Sequence, residues 1–410
     1  MSSEETHVIV GASLAGAKAA ETLRSEGFQG RVVLIGAEHE RPYERPPLTK
    51  GFLLSKEPAA KAYVHDESWY EQNGVELRLG MAVTAIDRSA HEVRLATGSP
   101  LRYDRLLLTT GASPRRLQVP GGELEGVHYV RTLEDSTELR RALAHGDRRV
   151  AVVGAGWIGL ETAAAALEYG NQVVIIEPEA TPLFRSLGPE LGEVFADLHR
   201  RHGVELRLGA GVAEFRGISG AVTSVVITGG QELPADLVIV GVGARPNTEL
   251  AETAGLEIDN GVVVDASLRT SDPDIYAAGD VANGYHPLLG RHLRVEHWAN
   301  ALNGGPAAAR AMLGQDVVYD RVPFFFTDQY ELGMEFSGVV VPGEYDEIAY
   351  RGHVEALEFI AFWLSGGRVV AGMNVNVWDV TPDIQALIRS GKPIDQNQLT
   401  DLGVPLTDLL

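Results

Sequence analysis

The sequence contains no cysteine. The chain therefore has no disulfide, no protein-thiolate iron–sulfur cluster, no cysteine nucleophile and no redox-active C-x-x-C motif. Any redox chemistry that it carries out must belong to a bound cofactor. We predict no metal site.

The sequence also lacks long apolar runs and an excess of positive charge. Its longest apolar runs, such as RLLLTTGA and LVIVGVGA, are too short to span a bilayer. Its formal net charge of −21 argues against nonspecific binding to nucleic acid or to anionic membranes. The N-terminus is acidic and enters a strand pattern within a few residues, which is not typical of a signal peptide. We therefore expect a cytoplasmic protein.

Two stretches of the 410-residue chain share one pattern of strand, glycine turn, helix and strand. The first is THVIVGASLAGAKAAETLRSEGFQGRVVLIGAE and the second is RRVAVVGAGWIGLETAAAALEYGNQVVIIEPE. Two such β-α-β units predict an α/β fold with two Rossmann-like nucleotide-binding domains.

The segments that follow the two units are also alike. Each begins with VELRLG and alternates apolar with polar residues, which predicts a small antiparallel meander. Each then leads into an apolar strand that ends at glycine. After residue 320 the pattern changes to aromatic-rich strands followed by a helix, which predicts a separate C-terminal α+β domain. The expected domains are residues 1–112 with 247–320, residues 113–246, and residues 321–410.

The second glycine turn, Gly154–Gly159, reads GAGWIG and is a complete G-x-G-x-x-G motif. Its first glycine permits the tight bend, its second lets a pyrophosphate approach the backbone, and its third lets helix and strand pack closely. Glu177 ends the next strand, where an acid accepts hydrogen bonds from the adenosine ribose and repels a 2′-phosphate. We therefore expect this turn to bind NAD rather than NADP.

Two charged residues near this turn have more than one interpretation. Arg185 either pairs with the NAD phosphates or is a solvated surface arginine. Glu161 either takes part in the site or only caps the helix, since a carboxylate near a helix start favours the helix dipole.

The first glycine turn, Gly11–Gly16, reads GASLAG and has Ser13 in place of the middle glycine. Serine adds a hydroxymethyl group where phosphate would approach, but it is small and its hydroxyl can donate a hydrogen bond. The turn is expected to be crowded but usable. The proline-rich ERPYERPPLTKGFL cannot form regular helix or strand, and it supplies Arg45 and Lys50 beside a pyrophosphate. Further on, Asp280 follows DIYAAG and either caps a helix or lies in a turn.

Nine segments occur in the order seen in one group of flavoproteins. They are VGASLAGAKAAETL, RPPLTKGFL, LLLTTGA, VRTLED, GAGWIGLE, PADLVIVGVGARPN, TSDPDIYAAGDVA, VEHWANA and TDQYELGMEF. By these segments the chain resembles the FAD-dependent, NADH-linked ferredoxin reductases of the putidaredoxin reductase and aromatic-dioxygenase ferredoxin reductase group, which have the glutathione-reductase-like fold. The resemblance covers nearly the whole chain. It implies that the first nucleotide-binding domain holds FAD and the second holds NAD.

The resemblance also implies which residues line the two sites. The residues expected at FAD are Gly11, Ser13, Leu14, Ala15, Gly16, Glu38, Arg45, Lys50, Val83, Thr110, Gly111, Arg131, Gly279, Asp280 and Trp298. Those expected at NAD are Gly154, Gly156, Trp157, Ile158, Gly159, Glu161, Glu177, Arg185 and Gly243.

Several of these residues have a particular role by resemblance. Glu38 would serve the adenosine ribose, although the strand itself ends at the non-acidic Gly36. Trp157 would cover the nicotinamide pocket, or it would only pack between domains. Val83 would contact adenine through its backbone, and Arg131 would contact the FAD phosphates. Asp280 would bind the ribitol chain, and Trp298 would lie against the flavin.

Lys50 and Glu161 are the expected catalytic residues. As a pair they would satisfy each other's partly buried charge. Lys50 would lie near the reactive flavin nitrogen, where a cation stabilises the reduced flavin. The alternative is that Lys50 only contacts phosphate.

The resemblance implies an NADH:ferredoxin reductase. NADH would pass hydride to FAD, and electrons would leave singly for a small [2Fe–2S] ferredoxin that serves a P450 or a Rieske-type oxygenase. Arg294, Arg310 and Arg321 are candidates for docking the ferredoxin, or they are scattered surface arginines. Two other functions stay open: reduction of a small acceptor such as a quinone, a radical or oxygen, and a non-catalytic NADH-sensing role that resembles apoptosis-inducing factor.

Overall fold

The structure is a computed structural model that describes residues 5–410. The helices are α1 (Leu14–Ser25), α2 (Glu67–Gln72), α3 (Leu133–Leu143), α4 (Trp157–Glu168), α5 (Phe184–Leu187), α6 (Pro189–Arg201), α7 (Glu249–Thr253), α8 (Trp298–Met312), α9 (Thr381–Ser390) and α10 (Gln396–Thr400). Short 3₁₀ helices span Pro46–Thr49, Ala59–Ala62, Gly279–Val281 and Leu406–Leu409.

The strands of the first 130 residues are β1 (Thr6–Val10), β2 (Arg31–Ile35), β3 (Val75–Arg78), β4 (Val83–Asp87), β5 (Glu92–Leu95), β6 (Leu101–Arg102), β7 (Arg105–Leu108), β8 (Ala112–Pro114) and β9 (Val127–His128). Those of the middle are β10 (Arg149–Val153), β11 (Gln172–Glu177), β12 (Glu205–Leu208), β13 (Val212–Ile218), β14 (Ala221–Ile227), β15 (Glu232–Pro234), β16 (Leu237–Val240), β17 (Ala244–Pro246), β18 (Val262–Val264), β19 (Ile275–Ala277), β20 (Ala282–His286) and β21 (Arg291–Arg294). The last five are β22 (Phe324–Gln329), β23 (Leu332–Gly338), β24 (Glu347–His353), β25 (Glu358–Ser365) and β26 (Arg368–Val375).

The chain forms two compact units. The first unit comprises Met1–Arg45, Ala59–Ser113 and Arg245–Pro323. The second comprises Pro46–Pro58, Pro114–Ala244 and Phe324–Leu410. This division places residues 46–53 of the proline-rich segment and the C-terminal residues in the second unit, whereas residues 40–45 of that segment belong to the first. The domain boundaries given above stay a prediction.

The first unit is built on a parallel sheet of order β19-β7-β1-β2-β3. The valine and isoleucine residues of β1 and β2 are buried, because a parallel sheet is covered on both faces. A meander, β4-β5-β6, follows, and a second three-stranded sheet has the order β18-β20-β21. The VELR segment at 75–78 was expected to open the meander, but it pairs in parallel with β2. That part of the prediction is wrong.

The second unit repeats this architecture and extends it. Its parallel sheet has the order β12-β11-β10-β16-β9, and its meander is β13-β14-β15. The second VELR copy again joins the parallel sheet, as β12, and not the meander. The C-terminal residues form the antiparallel sheet β22-β23-β26-β25-β24, followed by α9 and α10. Side chains of this sheet share one core cluster with α4 and α6, and the Trp363 indole donates to the carbonyl of Leu187 at 3.1 Å.

Across residues 5–410, no helix has both the length and the apolar character needed to cross a membrane.

Candidate dinucleotide-binding and catalytic sites

The glycine turn of the second unit lies at the carboxyl end of β10. Gly154 has φ +96°, and a Cβ there would lie 2.4 Å from the carbonyl oxygen of Gly241. A Cβ at Gly159 would lie 2.0 Å from the carbonyl oxygen of Gly154. Both distances are shorter than any real Cβ contact, so only glycine fits at these two positions.

The middle glycine, Gly156, faces open space. It is the N-cap of α4, and a Cβ placed on it would meet no atom within 4 Å. The first amides of α4 have no side-chain cap and no acidic residue in the first turn. An uncapped helix N-terminus beside an open approach has the character of a phosphate site. The residues present therefore fit a dinucleotide.

Glu177 stands at the end of β11, beside this turn. Its Oε2 accepts a hydrogen bond from the backbone N–H of Ala155 at 2.6 Å, and its Oε1 accepts one from that of Glu179 at 3.0 Å. The carboxylate is thus held against the glycine turn. A fixed negative charge at this position disfavours a 2′-phosphate.

The other residues expected at NAD lie around the turn in different surroundings. Trp157 opens α4 and packs edge-on against Phe195 and Phe325, with ring centroids 5.5 and 4.8 Å apart. Ile158 is an exposed apolar residue at the helix start. Trp157 therefore packs on aromatic neighbours of its own unit, and both interpretations of its role stay predictions.

Arg185 lies in the short helix α5 of the same unit, and Gly243 lies in the loop between β16 and β17. The Arg185 side chain is 83% exposed and forms an ion pair with Glu179 at 2.6 Å. Gly243 has φ +95°, and its carbonyl accepts from the backbone N–H of Arg115 at 2.9 Å.

Lys50 and Glu161 form an ion pair in the second unit, in which the lysine is partly buried and the glutamate is buried. Lys50 Nζ lies 2.5 Å from Oε1 of Glu161, and the two side chains are 18% and 4% exposed. Glu161 also accepts hydrogen bonds from the hydroxyls of Thr49 and Thr327, the latter at 2.6 Å. The four groups form one cluster around a single carboxylate.

The interpretation of Glu161 as a helix cap is wrong. Glu161 is the fifth residue of α4, beyond the first turn, and its carboxylate is turned into the core toward Lys50. Sequence reasoning also missed Thr49 and Thr327. Thr49 lies next to Lys50, but Thr327 is 166 residues from Glu161 and carries no local signal.

The glycine turn of the first unit has the same geometry. Gly11 has φ +121°, and a Cβ there would lie 2.1 Å from the carbonyl oxygen of Thr109. A Cβ at Gly16 would lie 2.2 Å from the carbonyl oxygen of Gly11. Leu14 and Ala15 open α1 and are buried. Here too the outer glycines are required and the turn is intact.

Ser13 is the N-cap of α1, but its side chain forms no capping hydrogen bond. Its Oγ lies 3.5 Å from the carbonyl oxygen of Tyr43, at the outer limit of a hydrogen bond. The first amides of α1 are thus left without a side-chain cap, and α1 has no acidic residue in its first turn. This helix start also fits a phosphate group.

Arg45 and Glu38 are paired close to this turn. Arg45 donates to Oε1 of Glu38 at 3.0 Å, and the Tyr43 hydroxyl donates to the other oxygen. Burial works against the charge of Arg45, but Tyr43, Glu38 and Asp280 outweigh it and raise the pKa of Arg45 above its ordinary value. Arg45 therefore keeps its positive charge beside the turn.

The end of β2 explains why no acid stands at Gly36. In each unit the backbone N–H of the first turn glycine donates to a carbonyl near the end of the second strand: Gly11 to the Ile35 carbonyl, and Gly154 to the Ile176 carbonyl. The next residue is Gly36 in the first unit and Glu177 in the second, so the two positions are equivalent. A Cβ at Gly36 would lie 2.6 Å from the Cβ of Ala12. The acidic side chain of this unit, Glu38, stands two residues later.

Trp298 lies at the start of α8, and Asp280 lies just before β20. The Trp298 indole donates to Oε2 of Glu44 at 3.1 Å, and burial raises the pKa of the Glu44 carboxyl against the opposing effects of Trp298 and Lys18. Asp280 lies inside the 3₁₀ helix Gly279–Val281, whose N-cap is Ala278, and a strand follows. The interpretation of Asp280 as a helix cap is therefore wrong, and the turn interpretation describes it.

The remaining predicted FAD residues are spread over both units. Thr110 and Gly111 are both hydrogen-bonded to the backbone of Asn247, a residue that the sequence analysis did not name. The Thr110 hydroxyl donates to the backbone carbonyl of Asn247 at 2.8 Å, and the backbone N–H of Asn247 donates to the Gly111 carbonyl at 2.9 Å. Val83 opens β4. Arg131 belongs to the second unit and precedes the N-cap of α3.

Comparison with known families identifies the chain. A family model described as pyridine nucleotide-disulphide oxidoreductase matches residues 5–305. The chain belongs to this family. A second model, described as reductase C-terminal, matches residues 324–410.

Members with similar sequences cover the whole chain. The chain is 40% identical to the ferredoxin–NAD(+) reductase component of the anthranilate 1,2-dioxygenase system of Burkholderia cepacia, over 100% of both chains. It is 38% identical to putidaredoxin reductase CamA of Pseudomonas putida, over 100% of this chain and 98% of that one.

Solved structures agree with these relatives. The reductase in the crystal structure of the covalent putidaredoxin reductase–putidaredoxin complex superposes with a TM-score of 0.95 at 38% identity, covering 99% of this chain and 98% of that one. A ferredoxin reductase for the CYP199A2 system from Rhodopseudomonas palustris also gives 0.95, at 34% identity and coverages of 98% and 99%. The predicted family, the α/β flavoprotein fold with its C-terminal domain, and the assignment to the oxidoreductases are confirmed.

Proposed function

We propose that this protein is an FAD-dependent NADH:ferredoxin reductase. It would take electrons from NADH and pass them singly to a small [2Fe–2S] ferredoxin that serves a P450 or a Rieske-type oxygenase. The observation that carries the proposal is the presence of two glycine turns, each with an uncapped helix N-terminus that fits a phosphate, in a chain without cysteine. With no thiol pair to receive them, the electrons must go to an external acceptor.

The residues of the two turns are the proposed holders of the two cofactors. The first turn, with Ser13 and the charged pair Arg45–Glu38, is our candidate for FAD. The second turn, with Gly156 and Glu177, is our candidate for NADH. When bound, FAD accepts a two-electron hydride from NADH and releases the electrons one at a time.

The protein's own contribution is to bind and orient the cofactors and to supply a charge at the site. Lys50 and Glu161 are the proposed catalytic residues, with Lys50 as the cation that favours an anionic reduced cofactor. The Glu161 carboxylate has three hydrogen-bond donors and holds Lys50 in one place. A preorganised charge costs no reorganisation at the moment of reaction.

By the resemblance the ferredoxin is expected to be acidic, so it would dock on exposed cations or through an apolar contact. Arg294 does not serve, since its side chain is 10% exposed and pairs with Glu296. Arg310 is more exposed but pairs with Glu26 at 2.8 Å. Arg321 is exposed and is the candidate that we retain among the three. A cytoplasmic location forms part of this proposal.

The experiment supplies purified protein with FAD, NADH and cytochrome c, with and without a [2Fe–2S] ferredoxin. We expect fast cytochrome c reduction only when ferredoxin is present. Equal rates without ferredoxin would favour a reductase of small acceptors, and a quinone arm would identify that class. Binding of NADH without turnover on any acceptor would favour the NADH-sensing role.

A further inference from the structure

Strand β22 carries two polar side chains on its buried face. Thr327 and Gln329 are each 1% exposed, and they share a face because side chains of a strand alternate. Phe325, two residues earlier on the same face, packs against Trp157. Apolar residues would be expected at all three positions, so the two polar ones require an explanation.

A continuous series of hydrogen bonds joins these side chains to Glu161. The Thr327 hydroxyl donates to Glu161 Oε1 at 2.6 Å, and Gln329 Nε2 donates to Thr327 Oγ1 at 3.3 Å. Gln329 Oε1 lies 2.9 Å from Nε2 of His199 on α6. The Tyr330 hydroxyl lies 3.3 Å from Nδ1 of the same imidazole.

The direction of each bond follows from the chemistry of the groups. A carboxylate only accepts, so Thr327 gives its single proton to Glu161 and accepts from the amide nitrogen of Gln329. The amide oxygen of Gln329 then accepts from His199, whose Nε2 must carry the proton. The Tyr330 hydroxyl donates to Nδ1. All four donors therefore point toward the Glu161 carboxylate.

The surroundings keep His199 neutral. Its side chain is fully buried, and burial lowers its pKa to about 4 against the opposing effect of the Gln329 bond. A neutral imidazole is the form that donates at one nitrogen and accepts at the other. His202 lies at the surface beside the last residue of the series. Its ring stacks on that of Tyr330, and its Nε2 lies 2.7 Å from Oε2 of Glu331.

We propose that His199, Gln329 and Thr327 are positioning residues that hold the Glu161 carboxylate in line with Lys50. The inference rests on the proposed function in one respect, that the Lys50–Glu161 pair is catalytic. Aligned hydrogen bonds polarise one another, so the last donor binds the carboxylate more firmly than an isolated hydroxyl would. Apolar side chains of similar shape would fill the same space with little change in stability, so alignment of the carboxylate is what the polar series supplies.

The first test reads the proton on His199 directly. Nitrogen NMR of the FAD-loaded protein, with ¹⁵N-labelled histidine and His199→Leu for assignment, should show a neutral ring with its proton on Nε2 at neutral pH. A ring with its proton on Nδ1, or a doubly protonated ring, would overturn the inference. This result does not depend on any activity.

The second test asks whether His199 acts through Thr327. Thr327→Val and His199→Leu should each slow the reduction of bound FAD by NADH roughly tenfold, with NADH affinity unchanged, since each weakens hydrogen bonding to a charged group. The double variant should be no slower than Thr327→Val alone. Thr327→Ser, which keeps the hydroxyl, should restore the rate. Independent effects that multiply in the double variant would overturn the inference.

The third test separates positioning from stability. His199→Leu/Gln329→Leu removes both partners of one bond, so the thermal midpoint should stay close to that of the parent while the reduction rate falls. A lower midpoint with an unchanged rate would assign the series to stability alone and contradict the inference. If the parent itself is not reduced by NADH, the proposed function fails, and the NMR result still decides the direction of the series.

Discussion

The Glu177 carboxylate accepts a hydrogen bond from the backbone N–H of Ala155 at 2.6 Å. One residue thus ties the end of β11 to the glycine turn and places a negative charge beside the candidate NADH site. The position of this carboxylate, and not the turn itself, is what distinguishes NADH from NADPH in our account.

Glu177→Gln should therefore narrow the preference for NADH over NADPH. The amide oxygen can still accept from Ala155 and hold the turn, whereas the bond from the Glu179 N–H and the repulsion of a 2′-phosphate are lost. We expect the ratio of kcat/KM values to fall by about tenfold or more, the size of one hydrogen bond involving a charged group. Steady-state kinetics with both nucleotides measures it. Glu168→Gln, an exposed carboxylate of α4, is the control, and an unchanged ratio in Glu177→Gln would contradict the assignment.

Gly11→Ala should yield protein without FAD. The new Cβ would lie 2.1 Å from the Thr109 carbonyl oxygen, at a backbone with φ +121°. Ser13→Gly should retain FAD, because the Ser13 side chain caps no amide. The flavin absorbance per mole of purified protein measures both. A Gly11→Ala variant with full flavin content would show that this turn is not the FAD site.

Lys50→Met should destabilise the protein more than the double change Lys50→Met/Glu161→Gln. The single change leaves a buried carboxylate without its cation, which costs about 3–5 kcal/mol in buried pairs. Because Lys50 is partly exposed, we expect a loss in the free energy of unfolding at the lower end of this range. Denaturant unfolding of the FAD-loaded variants is the measurement, and the matched surface pair is Lys56–Glu168. If the double variant is the less stable of the two, the carboxylate is not held by Lys50.

The stability of the fold should fall as the pH drops from about 6.5 toward about 4. Burial lowers the pKa of His297 from 6.5 to about 4, so the unfolded chain binds a proton in this range that the native chain does not. His199 has the same shift for the same cause. Stability is therefore complete above pH 6.5 and is lost as the pH falls. His297→Gln should flatten the dependence of the thermal midpoint on pH, and the exposed His353→Gln serves as control.

The glycine turns and the strands before them could be predicted from the sequence because their signals are local. The glycine spacing of residues 154–159 is contiguous in the sequence, and the buried strand β10 comes directly before it. The contact of Gly154 with the Gly241 carbonyl is not local, but the motif that predicts it is. The VELR segments could not be assigned in this way. An alternating strand fits the edge of a parallel sheet and a meander equally well, and only its pairing partner decides between them.

The catalytic cluster shows the same limit more clearly. Lys50 and Glu161 could be proposed by resemblance, but Thr327, Gln329 and His199 reach them from other parts of the chain. The bonds from Thr327 to Glu161 and between His199 and Gln329 join residues 166 and 130 positions apart. A threonine and a glutamine in an aromatic strand carry no pattern that predicts these partners.

The most direct measurement of the central claim is an anaerobic titration. FAD-loaded protein and an excess of oxidised [2Fe–2S] ferredoxin receive NADH in limiting amounts, and the visible spectrum of the ferredoxin reports its reduction. Because a hydride carries two electrons and the cluster accepts one, we predict that each NADH reduces two ferredoxin molecules. Oxidation of NADH with the ferredoxin left oxidised would contradict the account.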